Sequence, residues 1–499
     1  MRFALLLSVF IVASCGLAYE LIAGALSSYL IGDSVLQFST VIGVYLFAMG
    51  CGSWLSRFVL NGVAARFVQI ELLVGLIGGY SAAVLFWVYA FLTAPFKLVL
   101  YGLVFLIGAL VGLEIPLVMR LLEKQIQFRD LVSQVLTFDY LGALAVSLLF
   151  PLLLAPHLGM VRSALLFGLL NAVVASWTIW LFRVQLPERR ALAGQAMVVT
   201  VLLLAGFIGS DKLTAFAETS LYQDEIVLTE TTPYQRIVMT RWKDDYRLFL
   251  NGNLQFSSRD EYRYHEALVH PGLATLPWAR RVLVLGGGDG LAVREILKYP
   301  QIESVTLVDL DPAMTRLFRD VPLLRRFNHD AFHSPKVKVL NADAFAWLDQ
   351  HQDMFDFIVV DFPDPTNYAV GKLYTNTFYR LLEHHLNVRG RAVIQSTSPL
   401  YARQSFWMVA NTLQSVGLQA AAYHALVPAF GEWGYVLAGR EPYRPPTRLP
   451  AGLRFVSAQQ IGGMFEFPPD MARVDTGINR LNDQTLVRIF DEEWRRVIR

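Results

Sequence analysis

The sequence has little cysteine, little net charge and, over its first two-fifths, little charge of either sign. Its two cysteines, Cys15 and Cys51, both sit in apolar runs. Thiols so placed offer no disulfide framework and no metal cluster. A formal net charge of +2 over 499 residues gives no electrostatic footprint for a nucleic-acid partner. Residues 1–210 hold 11 Lys and Arg and 8 Asp and Glu, against 43 and 41 in the whole chain. So few charges exclude an ordinary water-facing surface there and separate a bilayer-embedded part from a water-soluble one.

The charge-poor part is filled by apolar runs. A membrane span takes about 20 mostly apolar residues. Seven segments qualify, roughly 3–30, 38–60, 67–93, 97–119, 131–156, 160–182 and 191–209. The first is too long for a signal peptide, and further runs follow it. Small residues recur inside the runs, as at Gly75, Gly78, Gly79, Gly108 and Gly112, where they let helices approach closely in lipid. Arg57 and Arg66 mark the second connection, Arg120, Lys124 and Arg129 the fourth, and Arg183, Arg189 and Arg190 the sixth. The positive-inside rule places these connections and the amino terminus in the cytoplasm. Seven full crossings then put residues 211–499 outside, whereas an interfacial or re-entrant path for the short segment 191–209 keeps them inside. Glu20, Glu114 and Asp139 lie within the apolar runs, so they are expected to face a protein interior or an aqueous path.

Beyond residue 210 the periodicity changes. Segments 225–229, 235–240 and 247–250 are short and β-rich, and turn-like residues separate them. They predict a small antiparallel sheet. The apolar strand 281–285 runs into Gly286-Gly287-Gly288-Asp289-Gly290, and a helical pattern opens at Leu291. A strand, a glycine turn and a helix begin a Rossmann-like α/β unit. Further strands over 304–308, 336–340 and 357–360 end at Asp309, at Asn341-Ala342-Asp343-Ala344 and at Asp361-Phe362-Pro363-Asp364-Pro365. Polar residues at the carboxyl ends of successive parallel strands line one crevice. A carboxylate at Asp309 suits a ribose diol, with two acceptor oxygens for two hydroxyl donors. The glycine turn lacks the spacing of a dinucleotide fingerprint; the strand ends together indicate a nucleoside ligand.

Between about Tyr234 and Gly439 these motifs, in order, resemble the spermidine synthase family. The series runs through Tyr234-Gln235, Asn251-Gly252 with Gln255, and Arg259-Asp260-Glu261 leading to Tyr264-His265-Glu266. It continues through Gly286 to Gly290, Val308-Asp309-Leu310-Asp311, Asp343-Ala344, Asp361 to Pro365, Leu373-Tyr374-Thr375 with Phe378-Tyr379, and Gly431-Glu432-Trp433-Gly434. The resemblance implies transfer of an aminopropyl group from decarboxylated S-adenosylmethionine to putrescine or a similar amine, giving spermidine and 5′-methylthioadenosine. It implies Asp361 as the base for the attacking amine and Asp364 as the holder of the polyamine cation. Asp289 and His265 then contact the aminopropyl or polyamine chain, and an acid at the glycine turn suits a donor that has lost its carboxylate. Gln235, Gly286, Gly287, Gly288, Asp309, Asp343 and Ala344 match nucleoside positions. Gln255, Tyr264 and Tyr374 match pocket positions. No cofactor or metal is implied, because a sulfonium is already an excellent leaving group. Asn251, Asp309, Tyr368 and Phe430 depart from the residues common at their places in the family.

The expected fold class is a multi-pass α-helical membrane domain over 1–210, a small antiparallel β domain over 211–280, and a Rossmann-like, methyltransferase-type catalytic domain over 281–499. The partners expected are the amine, the nucleoside donor and the lipid bilayer; self-association into a homo-oligomer is open. The expected location is the cell membrane with the catalytic domain in the cytoplasm, where the donor is made. A polyamine-responsive transporter or sensor, with the membrane acids as its cation route, and a small-molecule methyltransferase are the alternatives. Asp311 is read as the cap of the helix starting at Pro312. His384 and His385, and the run Arg316, Arg319, Arg325 and Arg326, are read as solvated faces.

Overall fold

A computed structural model describes residues 2–497 except 32–33, 92–94, 124–127 and 223, so that Lys124 lies outside the described residues. The chain divides into two compact units, Met1–Ile226 and Val227–Arg499.

The first unit is a bundle of helices α1 (Arg2–Ile31), α2 (Ser34–Leu55), α3 (Val63–Phe91), α4 (Phe96–Leu122), α5 (Phe128–Leu149), α6 (Ala155–Leu181) and α7 (Arg189–Tyr222). By length and composition it holds six apolar stretches able to cross a membrane, and one of them, Asp130–Leu181, is 52 residues long. A straight helix of that length would reach about 78 Å at 1.5 Å per residue, far beyond a hydrocarbon core of about 30 Å. The stretch is two segments in series. Pro151 opens a π-helical turn over Phe150–Leu154, and Gly159 leaves helical geometry altogether (φ 74°, ψ 174°). The six stretches therefore carry the seven expected segments. The glycines sit where helices meet closely: a Cβ on Gly112 would stand 2.2 Å from the Met49 carbonyl oxygen of α2. Helix α7 is unbroken from Arg189 to Tyr222. Its Leu203 is buried, and the Tyr80 hydroxyl of α3 donates to the Leu202 carbonyl at 2.7 Å. Over 191–209 α7 packs on α3 and α6.

The second unit opens with a four-stranded sheet, β1 (Glu225–Thr231), β2 (Arg236–Trp242), β3 (Asp245–Leu250) and β4 (Asn253–Ser257), in sequential order. Asn251 and Gly252 both take positive φ (50° and 80°) between β3 and β4, the two-residue turn that matches the twist of an antiparallel hairpin. Next come α8 (Glu261–Leu273), β5 (Arg281–Gly286), α9 (Leu291–Ile296), β6 (Ser304–Asp309), α10 (Pro312–Asp320), α11 (Pro322–Asn328), β7 (Val337–Asn341), α12 (Ala344–Gln350) and β8 (Phe355–Asp361). The chain continues with α13 (Tyr368–Gly371), α14 (Asn376–His384), β9 (Leu386–Gln395), α15 (Arg403–Gln414), β10 (Gln419–Val427), β11 (Gly431–Gly439) and α16 (Thr485–Val497).

The seven strands β5–β11 form one sheet in the order β10-β11-β9-β8-β5-β6-β7. The ladders from β9 to β7 are parallel, and β11 and β10 add an antiparallel edge. Central strands read as continuous apolar runs, Val282 to Leu285 and Phe357 to Val360, because both faces of the sheet are covered. Strand order reverses between β5 and β8, the position at which α/β sheets open a ligand crevice. Glu493 of α16 accepts from the Gln404 and Ser405 amides (2.8 and 3.0 Å) and so satisfies orphan donors at the start of α15.

Candidate active site

The crevice is built at the carboxyl ends of β5, β6 and β8. Gly286 pairs in register with Asp361, and Asp309 with Asn341. Gly286, Gly287 and Gly290 all have positive φ (80°, 60° and 76°), so the turn after β5 requires glycine conformations. It also requires their size. A Cβ on Gly286 would lie 2.3 Å from the Asp361 carbonyl oxygen, and one on Gly288 would lie 2.7 Å from Asp309 Oδ2. The turn is held against both acids by hydrogen bonds from the Gly287 amide to the Asp361 carbonyl (3.1 Å) and from the Gly288 amide to Asp309 Oδ2 (3.1 Å).

Asp361 is the last residue of β8, where the strand carries its side chain to the sheet's edge. The Tyr264 hydroxyl of α8 donates to its Oδ1 at 2.6 Å. Burial pushes the Asp361 carboxyl up to about 6, against the opposing pull of His265. Asp364, three residues on, accepts from Gln395 Nε2 (3.2 Å) and Thr397 Oγ1 (3.1 Å), and burial raises it also to about 6. Gln395 further donates to the Tyr374 hydroxyl (2.9 Å), which donates to the Pro363 carbonyl (3.0 Å). Tyr374 is fully buried and therefore braces the loop that carries the two acids.

Asp309 accepts from two backbone amides, Gly288 on Oδ2 and Asp311 (2.9 Å) on Oδ1, while burial raises it to about 6. Each carboxylate oxygen keeps a further acceptor site. Asp311 caps α10 through the Ala313 amide (2.9 Å) and accepts from Gln235 Nε2 (2.9 Å), which places Gln235 beside the end of β6. Asp289 accepts from the Leu291 amide at 3.0 Å, and burial raises its pKa.

His265 is buried on α8, with Nδ1 donating to Glu261 Oε2 at 2.9 Å. Glu261 is also gripped by two nitrogens of Arg294 at 2.8 and 2.9 Å. Burial raises Glu261, but the bonds from His265 and Arg294 outweigh it and hold the carboxyl at about 2. Burial likewise opposes a charge on His265, yet Glu261 leaves its pKa above the ordinary histidine value. Asp289 and Asp361 lie near enough to add to that upward pull. Phe430 meets Tyr264 edge-on, with centroids 6.1 Å apart, and gives the crevice an apolar wall.

Most of the residues singled out from sequence thus converge. Asp343 sits one strand over: it caps α12 through the Ala346 amide (3.1 Å) and pairs with Lys372 at 2.6 Å, with Ala344 as the first helical residue. Burial raises Asp343, but Lys372 outweighs it and the pKa is lowered. Gln255 lies on β4, where its amide bonds the Asn253 carbonyl of its own strand (3.2 Å). Sequence reasoning gave no role to Gln395, Thr397, Glu261 or Arg294. Only Glu261 left a trace, four residues before His265 and so on the same helical face. His385 is a correction: it is 4 % exposed, and Nδ1 lies 2.8 Å from the Leu381 carbonyl, so it closes the end of α14 and is not solvated. Arg316 and Arg319 are exposed and Arg325 is half-buried, and they pair with Glu230, Asp320 and Asp330.

Glycine turn, the Asp309 carboxylate and the Asp361–Asp364 pair at one sheet edge define a Rossmann-like α/β transferase unit with an acidic crevice. Residues 261–446 match the family model described as the spermine/spermidine synthase domain. Over 503 residues the chain is 60 % identical to polyamine aminopropyltransferase 2 of Ralstonia nicotianae, covering 99 % of both chains. It is 50 % identical to the polyamine aminopropyltransferase of Leptospira interrogans, covering 100 % of both. A crystal structure of spermidine synthase with the transition state analogue AdoDATO aligns over 49 % of this chain and 86 % of its own, at 24 % identity and a TM-score of 0.46. The chain belongs to the polyamine aminopropyltransferase family, and its relatives match the membrane unit as well as the catalytic one.

Proposed function

We propose that the enzyme moves an aminopropyl group from decarboxylated S-adenosylmethionine to putrescine, with Asp361 as the base. The observation that carries this is the placement of Asp361. Tyr264 occupies its Oδ1, the glycine turn lies along its Oδ2, and Asp364 follows three residues later. An amine of pKa near 10 is mostly protonated at neutral pH and must lose a proton to attack. Asp361 takes that proton while the nitrogen lone pair forms a bond to the donor's propyl carbon. The carbon–sulfur bond breaks, its electron pair stays on sulfur, and neutral methylthioadenosine leaves. Asp364, steadied by Gln395 and Thr397, holds the distal ammonium. Asp309, with Gln235, Asp343 and Ala344 beside it, takes the nucleoside. Asp289 and His265 face the aminopropyl chain, and Asp289 favours a donor whose carboxylate is gone. No metal or cofactor enters these steps.

The test incubates purified enzyme with putrescine and either decarboxylated or intact S-adenosylmethionine. Methylthioadenosine and spermidine from the decarboxylated donor alone are expected. A methylated product from the intact donor would replace this reading with a methyltransferase. We also place the catalytic unit in the cytoplasm, because a charged nucleoside does not cross a bilayer unaided. The opposing consideration is the loop charge pattern, which with seven crossings puts that unit outside. A carboxyl-terminal reporter active only in an oxidising exterior decides: silence is expected, and a strong signal from a functional fusion overturns the placement.

A further inference from the structure

We propose that the membrane unit contains a binding site for an alkylammonium group, built from Glu71 of α3 and Glu114 of α4. Both side chains are buried, at 0 % and 1 % exposure. Glu71 Oε2 accepts from Asn171 Nδ2 of α6 at 2.9 Å, and Asn171 Oδ1 accepts from the Tyr19 hydroxyl of α1 at 3.1 Å. The chain of bonds stops there. Glu71 Oε1 and both oxygens of Glu114 have no hydrogen-bond partner among the described residues. Helix α3 packs on α4, and both pack on α1, which carries Tyr19. Glu71 and Glu114 are thus presented by neighbouring helices in the interior of the bundle.

Close helix contacts hold this region in place. A Cβ on Gly78 would lie 2.6 Å from the Tyr19 ring, and one on Gly75 2.8 Å from the Gly168 carbonyl oxygen. Unpaired carboxylate oxygens inside a bilayer are expensive and mark a cation path or site. Three such oxygens match the three N–H donors of a primary ammonium. A lone proton would leave two of the three without a donor. Among the described residues no three His, Cys, Asp or Glu converge to hold a metal ion. The site is independent of the acceptor proposed for the soluble crevice.

The test uses the full chain in lipid nanodiscs and labelled putrescine as probe. D361N combined with D364N removes the amine contacts of the soluble crevice. That double variant should still bind putrescine at about one per chain, and adding E114Q should weaken the binding at least about tenfold. Loss of all binding in the double variant overturns the proposal, including the case in which Glu114 carries only a proton. Binding that survives E114Q unchanged also overturns it. If E114Q does not fold, E71Q takes its place with the same expected loss. Should the wild type bind the same single putrescine as the double variant, the soluble acceptor assignment fails and the membrane site stands.

Discussion

The two units bury carboxylates in opposite ways. In the catalytic unit each acid of the crevice has donors: Asp361 has Tyr264, Asp364 has Gln395 and Thr397, Asp309 has two amides, and Asp289 has one. In the membrane unit Glu114 is more deeply buried and has none among the described residues. Donors fix where a carboxylate points, and that precision is what proton transfer at a defined atom requires. An acid with spare oxygens in an apolar bundle instead stores an unmet demand for positive charge. Neutralising the first kind should abolish chemistry, and neutralising the second should change cation binding or folding.

The sharpest way to break this contrast is Asp361→Asn. It keeps the shape and an acceptor for Tyr264 but removes the base. Loss of a general base typically costs about 10²–10⁴-fold in turnover, and methylthioadenosine affinity should stay close to wild type. Near-normal turnover by the purified variant would end the assignment. Asp309→Ala comes next. It removes the carboxylate proposed to bind two ribose hydroxyls, each such bond being worth about 1.5–3 kcal/mol. Calorimetric titration of methylthioadenosine should show at least a tenfold weaker Kd, and unchanged affinity would refute the ribose contact.

The acid limb of the pH profile tests the same crevice without mutation. Asp361 and Asp364 are raised from 3.8 to about 6 by burial. In the free enzyme kcat/KM should therefore fall as pH drops through about 6, where the base becomes protonated. The sign for stability is the reverse. A folded-state pKa above the unfolded value stabilises the protonated form, so these two groups contribute most below pH 3.8 and lose that contribution as pH rises through about 6. Asp364→Asn should then melt no lower than wild type at pH 7.5 while losing activity. A profile flat down to pH 5 would contradict the burial of both acids.

Much of this crevice was legible because its parts lie at strand ends. The runs over 281–285, 304–308 and 357–360 are apolar on both faces, and each stops at a polar residue, so sequence alone brings Gly286, Asp309 and Asp361 to one edge. The Asn251-Gly252 hairpin was legible for the same local reason. What supports the acids was hidden by distance along the chain. Thr397 and Gln395 reach Asp364 from the end of β9, and Arg294 reaches Glu261 from α9. Glu71 escaped notice for another reason. It lies near the start of an apolar run, where a charge looks interfacial, and the packing of α3 on α6 buries it. Glu20 and Asp139, read as interior, are only half-buried, whereas Glu114 is sealed.

Within the membrane unit the contrast depends on close helix contact. Gly78→Ala would push a methyl group against the Tyr19 ring, 2.6 Å from the ideal Cβ position. Overpacking typically costs about 1–3 kcal/mol. The bundle should unfold at lower temperature, while methylthioadenosine binding by the catalytic unit persists. An unchanged melting temperature would mean that α1 and α3 yield easily and that the Tyr19–Asn171–Glu71 chain is not held by packing.

The smallest effect should come from Asp139→Asn. Asp139 lies on α5 next to Tyr140, which is 68 % exposed, and its own side chain is half-buried. Asparagine has nearly the same shape and keeps one acceptor oxygen, so no cavity forms and no partner is stranded. Substitutions away from cores, caps and networks usually stay within about 0.5 kcal/mol. Turnover should match wild type within about twofold, because the residue belongs to the unit that does not carry the crevice. Steady-state kinetics in nanodiscs measures this directly. A tenfold loss of turnover in a well-folded Asp139→Asn protein would show that an acid in the bundle serves the transferase reaction. The division between oriented acids for chemistry and unmet acids for cations would then fail at its weakest member.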